Sequence, residues 1–220
     1  MKNHALKIDF HIHTVFSKDA STTLQEVVAY SIKQGLSGVA ITDHGTLRGA
    51  LKLAKEKRII VIPGVEIDTL HGHVLALNIT RTVPSKQSLP ETVQKIHDLG
   101  GIAVAAHPAH PARVFRLGMT RQAISISNFD AVEVINSASF PFFLSTYMSR
   151  KLAERLNLPQ TGGSDAHQAV EIGMAYTVVD ADSNVDDIIE AVRKGASTPY
   201  GRATPWSVRI RRGAHEIKRG

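Results

Sequence analysis

The sequence contains no cysteine in its 220 residues. That excludes a disulfide framework and any thiolate site, so a bound metal would rest on nitrogen and oxygen. Long apolar runs are missing too; none reaches the roughly 18 to 20 residues that span a bilayer. The start, Met-Lys-Asn-His-Ala, passes at once into an apolar segment too short for a signal core, so a cytoplasmic protein without a membrane partner is expected. Neither common type of Gly-rich phosphate loop follows an apolar run, which argues against a nucleotide fold built on one. There is also no internal repeat and no low-complexity linker.

What remains is ordinary in bulk. Hydrophobic residues make up 43% and charged residues 21%, enough to build one core, and the length suits one domain or one barrel. The net charge is +6 and the isoelectric point about 9.7. Such a balance attracts phosphorylated substrates or nucleic acid, or simply solvates the surface. Much of the excess lies at the end, where Arg209, Arg211, Arg212, Lys218 and Arg219 face a single Glu216. Residues 206–220 therefore read as a basic tail beyond a domain covering 1–205.

Short apolar runs alternate with amphipathic helical segments. Strands are expected at Ile8–Phe10, Val39–Thr42, Ile59–Ile62 (ended by Pro63-Gly64), His73–Leu77, Ile102–Ala106, Val132–Ile135, Gln160–Gly163 and Tyr176–Val179. The fourth reads as an antiparallel or edge strand, because the link before it is too short for a helix. Helices are expected at Thr23–Gln34, Leu47–Lys57, Pro90–Leu99, Phe143–Leu156 and Val185–Lys194. Thr22 or Thr23 caps the first and Gly35 stops it. Pro108 to Asn128 reads as a long loop with a short helix. About seven strand-then-helix units point to an α/β fold, a closed or nearly closed β/α barrel rather than an open sheet.

In such folds the C-terminal strand ends carry the chemistry. Here those ends are unusually rich in imidazole and carboxylate. H-I-H gives His11 and His13, T-D-H gives Asp43 and His44, P-G-V-E ends at Glu66, and H-G-H offers His71 or His73. A-A-H-P gives His107, and S-D-A-H gives Asp165 and His167. Each motif alone has an ordinary explanation: exposed histidines for H-I-H, a helix cap for Asp43, a satisfied core residue for His107. Convergence on one mouth is explained by a metal centre. Residues two apart on a strand face the same way, so His11 and His13 can grip one ion. Histidine with carboxylate suits zinc, manganese or iron better than magnesium or calcium.

The ordered motifs D-F-H-I-H-T-V-F-S-K-D, I-T-D-H, P-G-V-E-I, A-A-H-P and G-G-S-D-A-H resemble the PHP family, the polymerase and histidinol phosphatase superfamily. The resemblance covers nearly the whole chain. It implies a distorted (β/α)7 barrel with the metal site at the C-terminal strand ends, and two or three divalent ions, typically a trinuclear centre. Carried over, the first ion takes His11, His13, Glu66 and Asp165. The second shares Glu66 and adds His73 and His107. The third takes Asp19, His44 and His167. From the residues alone Asp19 is an ordinary loop residue, and only the resemblance promotes it. Likewise His73 matches the family's placement, while His71 would lie on the same face.

The implied activity is hydrolysis of phosphate mono- or diesters by a metal-activated hydroxide, with Glu66, Asp165 and His167 nearest the reaction. Arginine suits a phosphate, and Arg113 and Arg116, after His107, are the first candidates to bind it, followed by Arg202 and, more weakly, Arg48. His110 falls in the same loop. Without a large insertion to shape a pocket, small phosphorylated metabolites, nucleotides or nucleic-acid ends all remain substrates, with no obligate protein partner. Two rivals stand beside this reading. A noncatalytic RNA-binding subunit, such as the PHP-like protein of ribonuclease P, fits the basic balance but has no need of nine polar ligands. A hydrolase of C–N or lactone bonds is disfavoured, because no lysine follows a central strand.

Overall fold

The computed structural model describes residues 4–109 and 121–217. Among the described residues nine strands form one sheet: β1 (His4–Ile12), β2 (Gly38–Ile41), β3 (Ile60–Thr69), β4 (Gly72–Leu77), β5 (Ile102–Ala105), β6 (Ala131–Asn136), β7 (Gln160–Gly163), β8 (Ala175–Ala181) and β9 (Ser197–Gly201). Their order is β7-β6-β5-β4-β3-β2-β1-β8-β9. Between them lie α1 (Leu24–Lys33), α2 (Arg48–Leu53), α3 (Leu89–Asp98), α4 (Arg121–Ser125), α5 (Phe142–Leu156) and α6 (Val185–Arg193), with α7 (Trp206–Ile217) at the end.

The sheet curls until β7 meets β1. The Asp165 N–H donates to the His11 carbonyl at 2.8 Å, and the His13 N–H to that of Ala166 at 2.9 Å. Gly163 makes this approach possible, since a Cβ there would lie 2.4 Å from that of His11. The result is the expected α/β architecture, a nearly closed barrel. On the far side of β1, β8 and β9 add antiparallel. Phe10, Ile62, Leu75, Leu77, Ile102 and Val104 fill the interior, together with Ile188, Ile189 and Val192 of α6. Burying each large apolar side chain contributes about 1.5–3 kcal/mol. Bonds from Asn78 to Asp186 and from Arg193 to Asp130 fasten α6 across the end opposite the mouth.

Local chemistry accounts for most boundaries. Thr23 and Glu26 form a capping box on α1, Ser88 and Glu91 another on α3. Gly35, at φ +66°, ends α1 while the Leu36 N–H reaches back to the Ser31 carbonyl. Helix α2 stops at Leu53, earlier than the expected Lys57, because the Glu56 carboxylate accepts the N–H groups of Lys57 and Arg58 in a turn.

Three expectations need correcting. β3 does not end at Pro63-Gly64. It changes partner there, pairing parallel with β2 up to Pro63 and antiparallel with β4 from Gly64. The link to β4 is thus a hairpin, and β4 is antiparallel as expected. Strand β9 was not foreseen, because Pro199 within S-T-P-Y-G argues against a strand; as an edge strand it tolerates the missing donor. The basic terminal segment is helical over Trp206–Ile217. Its Arg209 donates to the carbonyls of Ser137, Ala138, Ser139 and Thr204 and lies against Phe140 and Trp206. No helix among the described residues is long and apolar enough to cross a membrane.

Candidate metal centre

Strand direction assembles the site. β1, β2, β5 and β7 run parallel and release His11, His13, His44, His107, Asp165 and His167 at their C-terminal ends. β4 runs the other way, so its first residues arrive at the same mouth, and that is why His73 joins them.

Glu66 is buried at the centre, and its two oxygens divide the imidazoles. Oε2 lies 3.3 Å from His11 Nε2, 3.2 Å from His13 Nε2 and 3.2 Å from His44 Nδ1. Oε1 contacts His73 Nδ1 and lies 3.1 Å from His107 Nε2. Asp165 Oδ1 completes the first set, 3.5 Å from His11 Nε2 and 3.3 Å from His13 Nε2. A third set forms where Asp19 Oδ2 lies 3.4 Å from His44 Nε2 and 3.2 Å from His167 Nε2.

These spacings suit ions. With metal–donor distances of about 2.1 Å, neighbouring donors of a tetrahedron lie about 3.4 Å apart. Among His11 Nε2, His13 Nε2, Glu66 Oε2 and Asp165 Oδ1, the measured separations run from 3.1 to 3.5 Å. The ligand atoms of His11, His13 and Glu66 all lie within 4.8 Å of one another, a group that could hold an ion.

Electrostatics agrees. Burial alone would raise the carboxyls of Glu66 and Asp165, yet the surrounding imidazoles hold both well below the usual range. Asp19 is likewise driven down, as His167 and His44 outweigh its desolvation. Conversely, burial opposes charge on His11, His13 and His44, but the facing carboxylates raise all three. The same concentration of carboxylate charge that holds protons on the imidazoles suits cations in their place.

Further residues, invisible as site residues in the sequence, orient the donors. His11 Nδ1 bonds Glu133 at 2.9 Å, and the other Glu133 oxygen accepts from the His107 N–H at 2.9 Å and from Asn136 at 3.0 Å. Asn136 also donates to Asp165 at 3.2 Å. Asp68 meets His73 Nε2 at 2.9 Å. Ser17 bonds both His13 Nδ1 and the His44 N–H. Asp43 belongs to none of these donor sets; buried, it accepts from Thr14 and Ser17 and pins the loop after β1. Asp9 accepts N–H groups of Ser164 and Gly173, tying β1 to the β7 loop, while burial pushes its carboxyl up to about 6. Only an acidic residue inside an apolar run, as in A-V-E-V-I-N, could have marked Glu133 beforehand. His107 and Asp165 both have left-handed backbones, φ +31° and +54°, a conformation that side chains resist and that clusters at functional sites.

The structure thus brings together His11, His13, Asp19, His44, Glu66, His73, His107, Asp165 and His167. His71 is exposed in the β3–β4 turn and takes no part in these groups. Arg202 is exposed after β9 and pairs with none of the mouth's carboxylates. Arg113, Arg116 and His110 lie outside the described residues.

A PHP domain profile matches residues 9–156, and a PHP-associated profile matches residues 145–197. An uncharacterized protein of Methanocaldococcus jannaschii is 34% identical over 151 residues, 60% of this chain and 82% of that one. In fold, the chain is similar to a two-domain protein from Bacteroides vulgatus containing a predicted PHP-like metal-dependent phosphoesterase. The TM-score is 0.77 at 20% identity, with 97% of this chain and 70% of that one covered. It is also similar in fold to endonuclease Q, solved with a 27-mer duplex bearing an abasic lesion, with a TM-score of 0.73 at 16% identity over 91% of this chain and 60% of that one. With more than half its length matched by the domain profile, this chain belongs to the PHP family.

Proposed function

We propose that the chain is a metal-dependent phosphoesterase that hydrolyses phosphate mono- or diesters. One observation carries the reading: the single carboxylate of Glu66 has one oxygen among His11, His13 and Asp165 and the other between His73 and His107. Zinc, manganese or iron ions bound on either side would supply Lewis acidity to a phosphoryl group and a lowered pKa to water. The protein's own contribution is placement. Glu66 sets the spacing, Glu133 and Asp68 fix the tautomers of His11 and His73, and Asp165 and His167 complete the first and third donor sets. Phosphoryl transfer asks for little beyond position and charge, so a site of this kind suffices.

A noncatalytic RNA-binding role accounts for the charge but not for nine converging donors. The likeness to endonuclease Q keeps nucleic acid among the substrates to assay. The test is turnover of p-nitrophenyl phosphate, its bis-ester and a 5′-phosphorylated oligonucleotide, with manganese or zinc and with chelator. Metal-dependent turnover of at least one is expected. Fully loaded protein inert toward all three would contradict the proposal.

A further inference from the structure

Residues four apart on a helix share a face. On the first turns of α5, Phe143 with Tyr147 and Leu144 with Met148 therefore form an outward stripe, and all four are exposed. On α7, Trp206 and Ile210 form another. The stripes join where the chain enters each helix. The Phe140 and Trp206 rings meet edge to face with centres 5.2 Å apart, and the Thr204 N–H donates to the Ser137 carbonyl at 2.9 Å. Arg209 bonds the same turn, so the two helices present one continuous apolar surface.

That surface is large for a chain that stays alone. Phe143 is 84% exposed, Trp206 64%, Tyr147 61% and Phe140 52%, which leaves on the order of 500 Å² of aromatic surface uncovered at about 200 Å² per side chain. Leu144, Met148 and Ile210 bring the total to about 800 Å², against roughly 300–600 Å² for the largest apolar patch of a typical monomer. Two such patches pressed together remove about 1,600 Å², the size of a standard stable interface.

Composition and charge select the occupant. No charged residue occurs from Phe140 to Met148, while Arg150, Lys151, Glu154 and Arg155 follow on the later turns of α5. An aromatic and methionine centre with charge at its edge is the make-up of a protein interface. A nucleic-acid strand would need open ring faces and free cations. Here Phe140 and Trp206 pack on each other, and Arg209, lying over both, spends its donors on four carbonyls. Copies of a chain with net charge +6 repel in most orientations, and they approach at least cost where neither presents charge. We infer that the α5–α7 face joins two copies of this chain across a two-fold axis, each covering the Phe143, Tyr147 and Trp206 side chains of the other. The inference is independent of what the metal centre hydrolyses.

Sedimentation velocity of the full chain, as purified and at micromolar concentrations, should give the mass of two chains. That mass should persist in high salt, which screens the repulsion between copies but not the apolar contact. Phe143→Arg/Ile210→Arg should sediment as one chain at every concentration with unchanged circular dichroism. Ile32→Arg, exposed on α1 outside the patch, should remain dimeric. If the double variant does not fold, Phe143→Ala and Tyr147→Ala should each weaken the dimer about tenfold. A one-chain mass for the parent at the highest concentration overturns the inference, and so does a dimer that the double variant keeps. Flotation with phosphatidylcholine vesicles and anisotropy of a labelled oligothymidylate in chelator are measured in parallel. Binding of either by a one-chain parent, lost in the double variant, assigns the face to a membrane or to nucleic acid and overturns the dimer.

Discussion

Glu133 and His11 face each other across the barrel interior, with the His11 Nδ1 proton directed 2.9 Å to the carboxylate and Nε2 left to point at the cluster. Both side chains are buried, so this bond selects the tautomer as well as the ring orientation. Replacing Glu133 by Gln keeps the shape but offers a weaker acceptor. Metal affinity or turnover should fall about 10- to 100-fold, as for other lost partners of ligating histidines. Isothermal titration with zinc and steady-state kinetics check it; a change under twofold in both would show that His11 orients itself.

Glu66→Gln removes the charge shared between the two donor sets while leaving the volume unchanged. Turnover at saturating metal should drop at least about a hundredfold, comparable with losing a preorganised electrostatic partner. Retention of circular dichroism alongside lost activity is expected. An unchanged turnover number would mean that Glu66 does not lie between two ions.

Much of this centre was legible in the sequence because its donors follow strand ends, where position in the pattern predicts position in space. His11, His13, His44, His107, Asp165 and His167 all obey that rule. His73 obeys it only through the antiparallel turn of β4, a reversal hinted at by the short link from Glu66. Glu133 and Asn136 were hidden, since a buried carboxylate in an apolar strand looks like a packing exception until its partners are seen. Asp68 was hidden differently, as a polar residue beside a turn. Arg48, at the start of α2, lines a cavity with Asp19 and His44, a neighbourhood that the helical pattern alone does not show. Arg209 was invisible because charge in a terminal stretch reads as solvation, whereas here four carbonyls receive it.

That role for Arg209 changes the expectation for the terminal segment. Its guanidinium fastens the turn at Ser137–Ser139, and that turn follows Asn136, which touches Asp165. Arg209→Ala should cost about 1–2 kcal/mol, since hydrogen bonds to a charged group are worth more than neutral ones, discounted here for partial exposure. Removal of everything after Pro205 should cost at least as much. Urea denaturation of both proteins provides the measurement; equal midpoints with the parent would reduce the helix to an ornament.

Gly49→Ala tests the close approach of α2 to the buried Asp43 carboxylate. In an open helix the substitution would stabilise by up to about 1 kcal/mol. Here the new methyl meets an Asp43 carboxylate held by Thr14 and Ser17, which has nowhere to move. Strain should win, with a net loss of about 1–3 kcal/mol. A protein more stable than the parent in thermal unfolding would show that the loop yields easily.

Metal stoichiometry bears most directly on the account as a whole. Protein purified without chelator, then reconstituted with zinc or manganese and desalted, should carry two or three ions per chain by elemental analysis. Glu66→Gln should carry at least one fewer. Fewer than two ions on the parent protein after reconstitution would contradict the claim that Glu66 joins two metal sites.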